Sequence, residues 1–457
     1  MSAAGWSAPD FIRETAEMTH RWDRRQLLSA LGKAAAVPLL GGVIWEAGCG
    51  GGSSTAPAPA GDLYPGTDDQ LLEEIEKAGF LFFWEQADAL TGQVKDRALA
   101  GGNDTRSVSS IAATGFGLTA LCIGEQRGYE TTANITSRVQ VTLSFLLNTM
   151  QPLGQNGFFY HFVDMSSGAR MWTCEVSSID TAILLCGVLA CRQHFSTDAV
   201  IPGLATQIYN NVNFAWMLNG GSTLSMGWTP ENGFLTSRWD TYSELMMLYL
   251  LAMASPTFPI PAGCWSAWAR PSYTYQGLTY ISSGAPLFTH QYAHAWFDFR
   301  NKSDASANYF QNSVNATMAH RLFCLSLAAQ FSDYSDDLWG ITSSDSKSGY
   351  VAWGGPPAMG PIDGTIVPCA TAGSLPFLFP QAIHVLRWIR GHYPAAWQRY
   401  GYVDAFNPLS AWYNPDVIGI DAGISLLTAE NYRTQFVWNT FMKDPAATGG
   451  MALAGFH

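Results

Sequence analysis

Residues 245–254 read LMMLYLLAMA, a run of ten apolar positions in which Tyr249 carries the one side-chain polar group apart from the methionine sulfurs. A helix that water reaches on one side carries a charged or polar stripe on that side. This run has no such stripe, so we expect a helix that is buried all round. Inner helices of a double-layered helical assembly are buried in this way.

Stretches with a helical period extend from residue 63 to residue 442, separated by loops rich in Gly, Pro, Asn and aromatic residues. The predicted helices are 68–87, 107–127, 131–150, 177–195, 200–218, 240–254, 308–331, 376–391, 416–429 and 430–442. We expect Asp68 and Asp69 to cap the first. An α-solenoid is the alternative, but no repeat of about 30–45 residues is visible. The pattern predicts an all-α fold, an (α/α)6 toroid, in one domain at residues 63–457.

The composition supports a large buried core. Hydrophobic residues make up 47% of the 457 positions and charged residues 13%, a balance that argues against disorder. The formal net charge of −12 gives no basic surface for a phosphate backbone, so nucleic acid is not an expected partner. The 17 tryptophans suit an oligo- or polysaccharide, because the apolar CH faces of sugar rings lie well on indole rings.

The first 62 residues are typical of an export segment. Arg24-Arg25 before a modest apolar run resembles a twin-arginine signal at residues 1–48. Ala-Gly-Cys49, followed by a Gly/Ser/Pro linker at 49–62, resembles a lipoprotein cleavage site with Cys49 as the lipidated residue. Glu46 stands where such sites usually have Leu, so export without a lipid anchor is the alternative. We expect a protein of the periplasm or cell surface, with or without an anchor in the membrane.

The eight cysteines show neither a CxxC motif nor another metal-ligand spacing, and several lie in apolar runs. We expect buried thiols, with no metal and no cofactor. One disulfide in the exported protein is the alternative, although the spacing identifies no pair.

Carboxylates at the starts of apolar helices are the candidates for chemistry, because an unpaired buried carboxylate costs free energy. Glu244 directly precedes the run 245–254, and capping by its polar neighbours would not explain it. Asp421 lies between small and apolar residues in IGIDAG, with capping of a helix near Ile424 as the alternative. Asp180 starts another apolar helix, five residues after Glu175, and can also be a helix cap.

Two such acids are what cleavage of a glycosidic bond requires: one protonates the leaving oxygen, and the other activates water or attacks directly. Other polar and aromatic residues at loop or helix-entry positions are candidates for binding the sugar, with packing of the loops as the alternative. They are Arg97, Trp239, Tyr242, Phe288, His290, Trp339, Asp345 and Trp412. No second ligand follows His290 at metal spacing, so we expect it to contact sugar or to be satisfied within the fold.

Nine collinear runs resemble the glucoamylase-like group of (α/α)6 proteins, which includes bacterial endo-β-1,2-glucanases and sophorose-releasing hydrolases. They are residues 79–97, 110–124, 177–195, 242–261, 284–298, 335–345, 401–408, 418–423 and 430–442. The resemblance implies a glycoside hydrolase of linear, cyclic or substituted β-1,2-glucan. Because one branch of the group performs retaining transfer, the resemblance says more about the substrate than about the anomeric outcome.

The resemblance also implies roles for individual residues. Glu244 matches the general acid of the β-1,2-glucanases, and Asp421 matches their base, with Ala422 in place of the usual Gln. Asp180 matches a carboxylate that points into the pocket and binds sugar. We expect inversion at the anomeric carbon. The alternatives are a retaining transglycosylase, a polysaccharide lyase, which the negative net charge disfavours, and a glycan-binding lipoprotein without activity.

Overall fold

The computed structural model describes residues 61–284 and 286–457. The signal segment at 1–48, Cys49 and nearly all of the linker at 49–62 lie outside the described residues, so export, lipidation and the domain boundary remain predictions. Among the described helices, none is both long and apolar enough to cross a membrane.

Helices dominate the described chain. The α-helical segments are α1 Asp68–Glu85, α2 Ile111–Arg127, α3 Thr132–Phe145, α4 Gln151–Leu153, α5 Ser178–His194, α6 Ile201–Asn210, α7 Phe214–Met217, α8 Met246–Met253, α9 Tyr309–Ser326, α10 Pro368–Ala372, α11 Phe379–His392, α12 Gly419–Arg433, α13 Phe436–Phe441 and α14 Pro445–Leu453. They form the expected all-α architecture, an (α/α)6 toroid.

Helices α2, α5, α8 and α12 are inner helices. Every residue of α8 is buried, as are the first fourteen residues of both α2 and α5. Helix α2 packs against both α5 and α12, and α5 packs against α8. A helix that faces water on one side is apolar only on the other. These helices are apolar all round, and neighbouring helices cover every face. Residues 246–253 of the run therefore form the fully buried helix that its composition predicts.

Helices α2 and α5 run side by side in the same direction, and glycine makes their close approach possible. A Cβ atom on Gly115, the fifth residue of α2, would lie 2.5 Å from the carbonyl oxygen of Ile183, the sixth residue of α5. On the other flank of α2, a Cβ on Gly423, the fifth residue of α12, would overlap the ring of Phe116. Equivalent positions meet in both pairs, so the amino-terminal ends of these three helices lie at the same end of the toroid.

Short strands precede the inner helices and link their starting points. The strands are β1 Arg97–Leu99, β2 Val108–Ser110, β3 Phe162–Asp164, β4 Val176–Ser177, β5 Gly227–Thr229, β6 Gly233–Phe234, β7 Ser272–Tyr275, β8 Leu278–Ile281, β9 Ser343–Ser346, β10 Gly349–Ala352, β11 Trp397–Gln398, β12 Gly401–Tyr402, β13 Phe406–Asn407, β14 Trp412–Tyr413 and β15 Asp416–Ile418. Strand β2 leads into α2, β4 into α5 and β15 into α12.

The pairing of these strands is antiparallel and joins distant parts of the chain. Strand β1 pairs with β15, opposing Arg97 and Ile418, and β2 pairs with β3. Strand β5 lies between β4 and β6, opposing Ser177 and Gly227. Each pair fixes the loop that enters an inner helix, so the loops form one continuous rim at the amino-terminal end. The sequence patterns predicted no strands.

Several predicted helix boundaries are wrong. The predicted helix 240–254 starts at Met246, because residues 240–245 form a bridge and turns. The predicted helix 200–218 divides into α6 and α7. The predicted boundary at 429/430 lies inside α12, and the chain turns at Gln435, which has a φ of 63°. The cap of α1 is Thr67 rather than Asp68 or Asp69, since its hydroxyl accepts from the Gln70 backbone nitrogen.

Candidate active site

Three of the predicted acids lie at the amino-terminal ends of inner helices. Asp180 and Asp421 are the third residues of α5 and α12, and Glu244 lies two residues before α8. The segment that leads into α8 is held at the start of α5, because the Trp239 indole nitrogen donates to the hydroxyl of Ser178 at 2.9 Å. The three carboxyl groups therefore lie at one end of the toroid. Helix amino-termini carry partial positive charge, which stabilises carboxylates there.

Asp180 belongs to the cap of α5. The Ser177 hydroxyl accepts from the Asp180 backbone nitrogen at 3.1 Å and donates to the Asp180 carboxylate at 2.5 Å. The sequence left open whether Asp180 caps the helix. The residue that caps it is Ser177, and the Asp180 carboxylate accepts a hydrogen bond from the Ser177 hydroxyl. One helix start holds this side chain in a single orientation.

His161 lies between Asp180 and Glu175. Its Nδ1 is 3.3 Å from the Glu175 carboxylate, and its Nε2 is 3.7 Å from the Asp180 carboxylate. The three residues have the composition of a metal-ligand set. However, the ring faces the two acids with opposite nitrogens and so occupies the space that a shared ion would need. The geometry fits an imidazole that lies within ion-pair distance of both carboxylates.

Asp421 lies beside Asp404, a buried acid whose surroundings favour its protonated form. One Asp404 carboxylate oxygen accepts from the Asp345 backbone nitrogen and from the Asn414 side-chain amide, each at 2.8 Å. Asp404 also hydrogen-bonds to Asp421. Burial, followed by the nearby Asp345 and Asp421 carboxylates, raises the pKa of Asp404 well above its usual range. Of these two neighbouring acids, Asp404 is the one whose surroundings favour the protonated form.

The predicted sugar ligands Arg97 and Asp345 bind each other next to this pair. An Arg97 guanidinium nitrogen donates to Asp345 at 2.7 Å, and another donates to Asp96 at 2.9 Å. The side chain of Arg97 keeps 30% of its surface exposed. Asn414 donates to the same Asp345 oxygen at 3.2 Å and connects Asp345 to Asp404. The arrangement holds the acids on this wall at fixed positions.

Glu244 lies against neutral polar groups. Two residues before it, the Tyr242 hydroxyl is 3.1 Å from Nδ1 of His290 and accepts from the Asn312 amide at 3.4 Å. Burial lowers the pKa of His290 to about 3, so this imidazole is neutral near neutral pH. Glu244 itself exposes 3% of its surface.

Several residues predicted to contact sugar are buried behind the rim. Trp239, Tyr242, Phe288, His290 and Trp339 expose at most 3% of their surfaces. Trp239 and Tyr242 use their polar atoms within the fold, and Trp339 belongs to the main hydrophobic core. Fully covered rings offer no face for stacking, so Trp239, Tyr242 and Trp339 pack the wall instead. Trp412, on β14, is half-buried.

His161 and Asp404 lie among the candidate site residues, and the sequence analysis did not select them. His161 stands among aromatic residues in FFYHF, and Asp404 precedes a two-residue strand. Neither residue lies at the start of an apolar helix, the position that marks Glu244, Asp421 and Asp180 in the sequence. Only the strand pairings that close the rim bring them to Asp180 and Asp421.

The fold agrees with comparisons to known proteins. A family model named “Glycoamylase”, a glucoamylase group, matches residues 236–445, which include Glu244, Asp404 and Asp421. Over these residues the chain is similar to that glucoamylase group. The solved endo-β-1,2-glucanase from Chitinophaga pinensis, in complex with sophorotriose and glucose, has a TM-score of 0.79 at 26% identity, covering 86% of this chain and 99% of that one.

Two further glucoamylase-like relatives come from Parabacteroides distasonis. The curated one is an exo-β-1,2-glucooligosaccharide sophorohydrolase acting at the non-reducing end; it is 27% identical over 438 residues, or 87% of this chain. The chain spans 60% of the length of that relative. A solved β-1,2-glucanase from the same organism has a TM-score of 0.78 at 25% identity, covering 86% of this chain and 60% of that one.

Proposed function

We propose that this protein is a glycoside hydrolase of β-1,2-glucan, with Glu244 as general acid and Asp421 as general base. The observation that carries the proposal is the position of both carboxyl groups at the amino-terminal end of the inner helices. The activities of the sophorohydrolase and of the two solved glucanases support β-1,2-linked glucose as the substrate. The proposal covers linear, cyclic and substituted chains.

The two acids divide the reaction between them. Glu244 donates its proton to the glycosidic oxygen as the bond to the anomeric carbon breaks, which releases the leaving sugar as an alcohol. Asp421 accepts a proton from water, directly or through a sugar hydroxyl, as the water oxygen bonds to the anomeric carbon. Each acid changes its protonation state once, and exchange with solvent restores both. Attack from the face opposite the leaving group inverts the anomeric carbon.

Asp404 keeps the base ready for this step. By retaining the shared proton, it donates a hydrogen bond to Asp421 and leaves the latter as an ionised acceptor. Asp180 and Glu175, on the neighbouring wall, accept hydrogen bonds from sugar hydroxyls, and His161 fixes the spacing between these two carboxylates. Arg97 and Asp345 supply further polar groups beside Asp404.

The test is hydrolysis of purified linear and cyclic β-1,2-glucans, with other glucans as comparison substrates. We expect wild-type protein to release reducing ends from β-1,2-glucan. Glu244→Gln and Asp421→Asn should each lower kcat by about a thousandfold or more, because each removes one proton transfer. Asp336→Asn is the matched control, since Asp336 is an exposed acid paired with Arg321, and it should keep full activity.

The outcomes also distinguish the alternatives. Undiminished activity in both acid variants contradicts the assignment. Product anomers followed by NMR separate inversion from retaining transfer, and an unsaturated product that absorbs ultraviolet light identifies a lyase. Glucan binding without turnover identifies a carbohydrate-binding protein instead of an enzyme.

We also propose that the protein is exported to the periplasm or cell surface. The support is the sequence pattern: Arg24-Arg25 before the apolar run and Cys49 before the Gly/Ser/Pro linker. Replacing both arginines by lysine should retain the protein in the cytoplasm, as measured by cell fractionation. Cys49→Ala should abolish incorporation of labelled fatty acid, and an unlabelled wild-type protein would contradict lipidation.

A further inference from the structure

Trp172 combines exposure with an unusual backbone conformation. It lies in the loop between β3 and β4 and keeps 42% of its surface exposed. Its φ of 52° is in the left-handed region, which bulky side chains rarely adopt. Within residues 61–284 and 286–457, the other non-glycine residues with positive φ are Asn, Gln, Met and Ala, so this is the one aromatic ring presented in that way. Such conformations cluster at ligand-binding sites.

The loop around Trp172 is held on both sides. The Met171 backbone nitrogen donates to the Phe162 carbonyl at 3.0 Å, and the Arg170 guanidinium donates to the Cys174 carbonyl at 2.6 Å. Arg170 also forms an ion pair with Glu231 at 2.5 Å. These contacts fix the residues before and after Trp172, so the exposed indole is positioned by the fold.

A series of aromatic rings connects Trp172 with the carboxylates of Glu175 and Asp180. The indole meets Phe162 edge to face, with ring centroids 5.5 Å apart. Phe162 stacks on His161 with centroids 3.8 Å apart, and His161 bridges Glu175 and Asp180. Trp172 therefore lies two rings away from these carboxylates, at the amino-terminal end of α5.

The other strongly exposed aromatic side chains of the described residues lack this combination. Tyr432 is 41% exposed, but one face of its ring is covered by Phe379 at a centroid distance of 3.6 Å. Tyr432 also belongs to the last turn of α12, at the end opposite the acids. Phe258 is 42% exposed and follows the carboxyl-terminal end of α8. Trp172 is the exposed aromatic at the acid end.

We infer that Trp172 forms an outer sugar-binding subsite, on which a glucosyl ring of a bound chain stacks beyond Glu175 and Asp180. The inference rests on the proposed function and adds a residue and a place to it. Indole offers an apolar surface to the CH face of one sugar ring, and Glu175 and Asp180, two rings away, accept hydrogen bonds from hydroxyls of the next part of the chain. A few polar groups beside an apolar surface are the usual composition of such a site.

The test compares Trp172→Ala, Trp172→Phe and the control Tyr432→Ala on β-1,2-glucooligosaccharides of increasing length. Trp172→Ala should raise KM for long chains by about tenfold, the size of one aromatic contact, with kcat within about twofold of wild type. Short oligosaccharides that do not reach the subsite should show no change in KM. Trp172→Phe should recover most of the affinity, and Tyr432→Ala should behave as wild type.

Binding measured separately keeps the inference independent of turnover. Affinity of the same oligosaccharides for Glu244→Gln, with and without Trp172→Ala, is followed by tryptophan fluorescence and calorimetry. If the wild-type protein does not hydrolyse the glucans but its affinity for them depends on Trp172, the proposed function is overturned and the subsite is supported. An unchanged KM and affinity in Trp172→Ala would overturn the subsite, as would a loss of kcat that is equal for all chain lengths.

Discussion

At the scale of single residues, the buried Asp404 lies beside Asp421, the proposed base. It is 2% exposed and accepts hydrogen bonds from Asp345 and Asn414, and burial, followed by the charges of Asp345 and Asp421, raises its pKa. A protonated acid next to the base is a neutral hydrogen-bond donor at short range. A variant of Asp404 that keeps a hydrogen-bond donor therefore separates a role in hydrogen bonding to Asp421 from a role in packing.

Asp404→Asn keeps a donor to Asp421, and Asp404→Ala removes it. We expect kcat of the Asn variant to stay within about threefold of wild type, and that of the Ala variant to fall at least tenfold, since one hydrogen bond contributes about 1.5 kcal/mol. Steady-state kinetics on β-1,2-glucan give the answer. Equal losses in both variants would show that Asp404 does not act through a donated proton.

The same residue predicts a pH dependence of stability. The pKa of Asp404 is raised in the folded protein, so the folded state binds more protons than the unfolded state at a pH above the ordinary value. Its contribution to stability is present below that ordinary pKa and is lost as pH rises through the folded value. Asp404→Asn does not titrate, so its melting temperature relative to wild type should increase from about pH 4 to about pH 8. A constant difference over this range would contradict the raised pKa.

At the scale of elements, the contact between α2 and α5 depends on glycine. A Cβ on Gly115 would meet backbone atoms of Ile183 and Leu184, which cannot rotate away. Gly115→Ala should therefore force the helices apart and lower the free energy of unfolding by about 3 kcal/mol. Gly203→Ala is the control, because nothing lies within 4 Å of the new methyl group. Since alanine favours a helix, this control should raise stability by up to about 1 kcal/mol in chemical denaturation.

Helices α1 and α12 are joined by a buried ionic group at the end opposite the acids. Arg433 contacts Glu73 at 2.7 Å and Glu76 at 2.5 Å, and Arg127 contacts Glu430 at 2.7 Å. Burial, followed by the charge of Glu430, raises the pKa of Glu76 to about 8. The stabilising contribution of protonated Glu76 is present below its ordinary pKa and is lost as pH rises through about 8.

Arg433→Met removes the principal partner of Glu76 and should destabilise the protein by about 3 kcal/mol near pH 9. Near about pH 6 the loss should be smaller, because Glu76 can then bind a proton. Arg399→Met, which breaks a surface pair with Glu85, is the control and should change stability little. A loss of stability that is the same at both pH values would argue against a protonated Glu76.

At the scale of the whole molecule, we expect the net charge of −12 to affect which glucans the proposed hydrolase accepts. Hydrolysis of a neutral glucan should not depend on ionic strength. A glucan that carries phosphate or succinate groups is repelled, so its KM should fall as salt rises to about 0.15 M and screens the charges. Initial rates on matched neutral and anionic substrates test this. An anionic substrate whose KM rises with salt would indicate a basic patch near the cleft.

The sequence predicted the inner helices well and the rim poorly. Helix α5 was placed to within one residue, because it is apolar on both faces and polar at its ends. The start of α8 was misplaced by six residues, since polar residues 240–245 continue a helical period while forming turns. Strands of two to four residues are too short for an alternating pattern to appear. Glu244, Asp421 and Asp180 were found because they sit at helix starts, whereas His161 and Asp404 depend on pairings between remote loops.

The position at which the chain enters the domain determines where a group joined to the amino-terminal side of the domain would lie. Asp62 and Asp68 both contact Arg387, and the neighbouring Asp69 contacts Arg433 in the final turn of α12. Asp421, in the first turn of that helix, is roughly 18 Å away along its axis. A purification tag, a carrier domain or a lipid joined ahead of Gly61 would thus be on the far side from the cleft. An anchored enzyme would present its cleft outward, where a polymer can thread into it without meeting the surface beneath.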